Sequence, residues 1–102
     1  MCIRDRPSTF TFDPGDPTPV DGGPLLAPPG GQVDDARTEA GPDVLVFTGA
    51  PEAQNLDLVG HVTAHLHVQP ELERADVFVR LCDVDPGDVS RNIVDGLSLI
   101  HI

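Results

Sequence analysis

A chain of 102 residues can hold one domain around one core. Its formal net charge of -11, with no lysine at all, argues against nucleic acid and against an anionic membrane surface, whose phosphates it would repel. No run approaches the 18 or so apolar residues that span a bilayer, and no signal peptide is visible, so a soluble chain is expected.

The two ends differ in style from the interior. Residues 1–7 (MCIRDRP) and 98–102 (SLIHI) resemble translated adapter sequence, and both are expected to be non-native. The domain itself is then expected to occupy residues 8–97. Residues 8–12 (STFTF) alternate and suit a short strand, closed by a turn at Asp13, Pro14 and Gly15. Residues 8–43 hold seven prolines and six glycines. Gly22-Gly23 and the Pro28 to Gly31 run forbid a long regular element there, so residues 16–42 read as an extended, meandering loop.

Strands follow at close intervals. Residues 44–48 (VLVFT) are a β-branched and aromatic run bounded by Pro42-Asp43 and by Gly49-Ala50-Pro51, which predicts a buried strand. Residues 56–69 alternate in two phases broken at Gly60, which predicts a long strand with a bend or bulge. In its second half Val62, Ala64, Leu66 and Val68 share one face, and His61, Thr63, His65 and His67 share the other. Residues 71–75 have room for one helical turn at most. Residues 75–84 (ADVFVRLCDV) are apolar on both faces except at Asp76, Arg80 and Asp83, which predicts a place in the interior of a sheet. Asp85-Pro86-Gly87-Asp88 makes a turn, and a further strand begins at residues 90–94. No segment carries the helical spacing over three turns. Short strands separated by Pro/Gly/Asp turns predict an all-β fold, an antiparallel β-sandwich or jelly roll.

Cys2 and Cys82 have the number needed for a disulfide but not the setting. Cys2 lies in a terminal segment and Cys82 in an apolar strand, where a thiol behaves as a small hydrophobe, so Cys82 is expected to be a buried structural thiol.

The segments PDVLVFTGAP (42–51), NLDLVGHVTAHLHV (55–68), DVFVRLCDVDPGD (76–88) and RNIVDG (91–96) resemble the C-terminal domain shared by X-Pro dipeptidyl-peptidases and cocaine-esterase-like hydrolases. FTFDPGDPTPVDGGPLL (10–26) is similar to the strand and loop that open the same domain. The resemblance implies a jelly-roll, galactose-binding-like accessory domain. Its implied partner is an α/β-hydrolase domain of the same parent chain, which bears the Ser-His-Asp triad for ester or amide hydrolysis. It also implies that the sandwich here is incomplete, because the family's domain continues with further strands beyond the point matched by Gly96.

The residues themselves hold no catalytic site. An acyl-transfer serine needs a sharp strand-to-helix turn, with a base and an orienting acid nearby. Ser8, Ser90 and Ser98 are the only serines, none in that context, and Ser90 is expected to be a solvent-facing hydroxyl. His61, His65 and His67 have a spacing that puts imidazoles about 6 to 7 Å apart on a strand, but no Cys, Asp or Glu alternates with them. A solvated or domain-facing surface outweighs a metal site. The acidic runs from Asp83 to Asp88 and at Asp34-Asp35 invite calcium, but the first lacks the twelve-residue loop with its closing Glu and reads as turn chemistry. The glycine pairs lack the Lys-Ser/Thr and the helix of a phosphate loop. No catalytic, cofactor-binding or metal-ligating residue, and no cofactor, is therefore assigned. The rival function is a carbohydrate-binding or adhesion module. Such sites stack aromatic rings on sugar, whereas this chain has no Trp or Tyr and only Phe10, Phe12, Phe47 and Phe78, all expected in strands.

Overall fold

The structure is a computed structural model that describes residues 7–101 except Val20, Pro29 and Leu72. Met1 to Arg6 and Ile102, where parts of the expected foreign ends fall, lie outside the described residues, as does Cys2. Regular structure is almost all strand. A single-turn helix, α1 (Ala36–Glu39), precedes β1 (Arg74–Val84) and β2 (Ser90–His101), which pair antiparallel into a two-stranded sheet. The fold is all-β, with an open sheet as in an incomplete β-sandwich.

β1 forms where the β-branched and aromatic run is densest, and the Asp85-Pro86-Gly87-Asp88 turn folds it back as expected. The turn is closed by the Asp88 N–H donating to the Asp85 carbonyl at 2.9 Å and the Asp85 N–H to the Val89 carbonyl at 3.0 Å. Asp85 Oδ1 also accepts from the Gly87 and Val89 amides at 2.9 and 3.1 Å, as Asp does in turns. Asp88 takes the left-handed conformation at φ 62°, which Asp tolerates better than most residues.

The two strands run in register from Arg74↔His101 to Val84↔Ser90 with one irregularity. Leu81 faces Val94 and Cys82 faces Asn92, so Ile93 is an extra residue, a β-bulge in β2. The bulge decides which side chains share a face. In a regular strand Asn92 and Asp95 point to opposite sides; here Ser90, Asn92 and Asp95 stand opposite Val84, Cys82 and Arg80, all on one face. Val77, Val79, Leu81 and Val94 occupy the other.

That second face fronts Val62, Ala64, Leu66 and Val68 across a groove of about 350 Å3. The alternation in residues 62–68 thus correctly marks an apolar side turned to the sheet, and Gly60 bends the segment at φ 111°. The expected strands at 8–12, 44–48 and 56–69 nevertheless do not form. All three lack a ladder, because alternation sets the side a residue faces while strand pairing requires a neighbouring edge. Likewise β1, expected in a sheet interior, pairs on one edge only. Phe10, Phe12 and Phe47 are consequently outside any strand; Phe78 alone is in one.

Residues 21–39 cross the polar face of the hairpin as a strap. Gly23 and Gly31 bridge through reciprocal amide-to-carbonyl bonds of 2.7 and 2.8 Å, closing the Pro24 to Gly30 loop on itself. Gly22 must be glycine twice over, since φ is 73° and a Cβ there would lie 2.6 Å from Val33 Cγ2 and 2.7 Å from the Gly31 carbonyl oxygen. No apolar side chain is buried among the described residues; the buried polar ones are Asp35, Ser90 and Asn92.

Candidate functional site

The polar face of the hairpin carries the most organised chemistry in the chain. Arg80 pairs across the ladder with Asp95 in a bidentate fork, Nε to Oδ1 at 2.7 Å and Nη2 to Oδ2 at 2.9 Å. Its Nη1 reaches the strap, donating to Asp35 Oδ1 and to the Asp21 carbonyl, each at 2.7 Å. The guanidinium also lies 5.6 Å from the centroid of the Phe78 ring, within cation-π range. Hydrogen bonding to Asp95, with Asp35 adding to it, outweighs the cost of burial and holds the Arg80 proton more tightly than in water.

Asp35 is 1% exposed and has a second tie: the Cys82 thiol donates to its Oδ2 at 3.2 Å. Burial, and then this bond to a carboxylate, push the Cys82 thiol up to about 11. Cys82 carries a free thiol that is half-buried rather than buried as expected, because its neighbour is a carboxylate of the strap rather than an apolar core. Asp34, just before α1, accepts the Ala36 amide on Oδ1 at 3.0 Å. Asp35 is instead a buried ion-pair partner of Arg80.

Two further residues of β2 hold the strap. Asn92 Oδ1 accepts the Val33 amide at 2.7 Å and its Nδ2 donates to the Gly31 carbonyl at 2.9 Å, which substitutes a side chain for a third strand's backbone. Ser90 donates from Oγ to Glu39 Oε1 at 2.6 Å while its carbonyl accepts the Asp35 amide at 2.8 Å. Ser90 was expected to face solvent. It is 5% exposed instead, because the strap and α1 cover the face to which it points. Its hydroxyl proton rests on a carboxylate with no imidazole to take it up, which is a structural bond rather than an activated nucleophile.

His61, His65 and His67 are exposed, and they alternate with the groove-lining residues 62–68. Among the described residues no group of three or more His, Cys, Asp and Glu comes together to hold a metal ion. No helix among them is long and apolar enough to cross a membrane.

Sequence reasoning missed the clasp formed by Arg80, Asp35 and Asp95. One signal was available: an arginine inside an apolar strand requires an acidic partner. Its identity was hidden, because a register counted outward from the Asp-Pro-Gly-Asp turn without a bulge puts Arg80 opposite Val94.

Arg80, Ser90, Asn92 and Asp95, the polar side chains gathered beneath the strap, are therefore occupied in holding the chain together, as expected of a scaffold rather than a reaction centre. Comparison with known families agrees: residues 5–98 match the X-Pro dipeptidyl-peptidase C-terminal non-catalytic domain. The chain belongs to that family. No curated protein and no solved structure matches the chain. As an X-Pro dipeptidyl-peptidase C-terminal non-catalytic domain, it bears the features that carried the resemblance at positions the structure can now explain. The DVFVRLCDV stretch supplies β1 with Arg80 and Cys82, and RNIVDG supplies Asn92, the bulge at Ile93 and Asp95.

Proposed function

We propose that this chain serves as the accessory C-terminal domain of a serine hydrolase of the dipeptidyl-peptidase or acyl-esterase type, packing against an α/β-hydrolase domain of the same parent chain. There it would cover and shape the acyl or dipeptide pocket. The observation that carries this reading is the family match across residues 5–98. Two features of the molecule support it. The polar groups beneath the strap are engaged in structural bonds, and the described apolar side chains from Val44 to Leu97 stand exposed or half exposed, as surface awaiting a neighbour does.

Within this reading the domain span is residues 8–97, and no residue of the chain takes part in bond cleavage. The test is an assay of the 102-residue chain against X-Pro anilides and activated esters, alone and with a catalytic domain of the family added in trans. The chain alone is expected to show no turnover. Turnover by the chain alone that disappears in Ser90→Ala would overturn the accessory reading.

A further inference from the structure

The strap is held in an unusual way for a segment of its length. None of its described apolar side chains is buried, so its attachment rests on polar ties. Those ties run to Arg80, Cys82, Ser90 and Asn92, beside a backbone bridge between Asp34 and Arg91. Ser90 and Asn92 each hold one part of the strap, whereas Arg80 alone joins three separate pieces of chain: the strap's start through the Asp21 carbonyl, its middle through Asp35, and β2 through Asp95. Gly22 and Gly23, just inside the start of the strap, take φ of 73° and 79°. Beneath it Cys82 donates to Asp35.

We propose that Arg80 is the positioning residue of a releasable clasp: its guanidinium fork closes the strap of residues 21–39 over the polar face of the hairpin, and loss of the fork opens the strap as a unit and uncovers Cys82 while the β1–β2 ladder stays paired. The geometry separates the two structures. The ladder runs along the whole hairpin and is independent of Nη1, the atom by which Arg80 reaches the strap. A carboxylate pair facing one cation explains why the closure is specific. Without Arg80, Asp35 and Asp95 would be like charges left in a water-poor site, and moving the strap away is the direct route by which Asp35 regains solvent.

The experiment uses the full chain in a Cys2→Ser background, so that Cys82 is the one thiol. Alkylation of Cys82 by iodoacetamide at pH 8 reports the strap, and amide exchange at Val33 and Asp35 reports it independently. Exchange at Val79, Leu81 and Val94 reports the ladder. In Arg80→Gln, alkylation is expected to rise by about tenfold or more as the thiol loses its carboxylate neighbour and its cover. The Val33 and Asp35 amides are expected to lose protection while ladder protection is kept. In Arg80→Lys, whose single ammonium cannot make the fork, alkylation is expected to fall between the two. Unchanged alkylation in Arg80→Gln overturns the proposal. So does ladder protection lost in step with strap protection, or already missing in the parent chain, since the clasp would then not be separable. An Arg80→Lys chain indistinguishable from the parent overturns the assignment to the fork.

Discussion

Cys82 shows how a single side chain reports on the clasp through pH. Its thiol is held protonated by burial and by the Asp35 carboxylate that accepts its hydrogen bond at 3.2 Å. The folded value, pushed up to about 11, exceeds the unfolded one near 9, so the neutral thiol is the form the fold favours. That contribution is fully present below about pH 8.5, the ordinary range of a free thiol, and is lost as pH rises through the folded value. Strap protection, read as amide exchange at Asp35 corrected for intrinsic rates, is therefore expected to fall between about pH 9 and 11, and Cys82→Ala should remove most of that dependence. A pH-independent profile over this window would mean that the thiol and carboxylate do not meet in solution. Asp85 works in the opposite sense. The Arg91 side chain at 2.6 Å, with the Val89 and Gly87 amides, holds its carboxyl below the usual range. Its effect is present above the ordinary carboxylate pKa and disappears as pH falls through the folded one; being exposed, it is small.

The bulge at Ile93 is the feature on which the architecture of the hairpin turns. It shifts the phase of β2 by one residue, and only with that shift do Ser90, Asn92 and Asp95 meet the strap together. Deleting Ile93 would leave Asn92 and Asp95 two residues apart, so a regular ladder keeps both on the polar face, and exchange protection at Val33 and Asp35 is expected to persist. Strap protection lost in the deletion, with the hairpin kept as judged by protection at Val79, would show that the strap needs the local geometry of the bulge and not only the facing it sets. The same element marks the boundary of what the sequence made legible. The Asp-Pro-Gly-Asp turn, the strand after Ala75 and the apolar side of residues 62–68 follow from local chemistry and period, and each is found. The interior placement of β1, the strand at 44–48 and the exposure of Ser90 depended on which segments lie alongside one another. Those are long-range facts that periodicity does not carry. The clasp was invisible for the same reason: Asp21 and Asp35 reach Arg80 across 59 and 45 residues, and Asp95 does so only through a bulge.

At the scale of the whole molecule the distribution of surface decides how the chain behaves alone. It exposes 9118 Å2, whereas a folded monomer of 10.8 kDa presents about 5,500 Å2 by the usual scaling of area with mass. Its radius of gyration of 14.7 Å likewise exceeds the roughly 13 Å of a compact domain of this length. Apolar side chains contribute to the excess: Val59 and Leu26 are at or near full exposure, and Phe12, Leu56, Leu58 and Leu97 are each more than half exposed. Burying one Val, Leu or Phe stabilises a fold by about 1.5 to 3 kcal/mol, so three or four such residues left in water forfeit an amount comparable with a small domain's whole stability of roughly 5 to 15 kcal/mol. What remains ordered is held by the ladder and by polar ties. A two-stranded sheet alone is marginal in water. The isolated chain is therefore expected to unfold in urea over a broad range with a shallow slope, to bind a hydrophobic dye before denaturant is added, and to keep amide protection mainly in the hairpin and strap. Addition of a catalytic domain of the family should sharpen the transition and displace the dye, because the slope scales with the area that unfolding exposes. A steep, cooperative transition for the chain alone, without dye binding or self-association, would show instead that its exposed apolar surface finds cover within the chain itself.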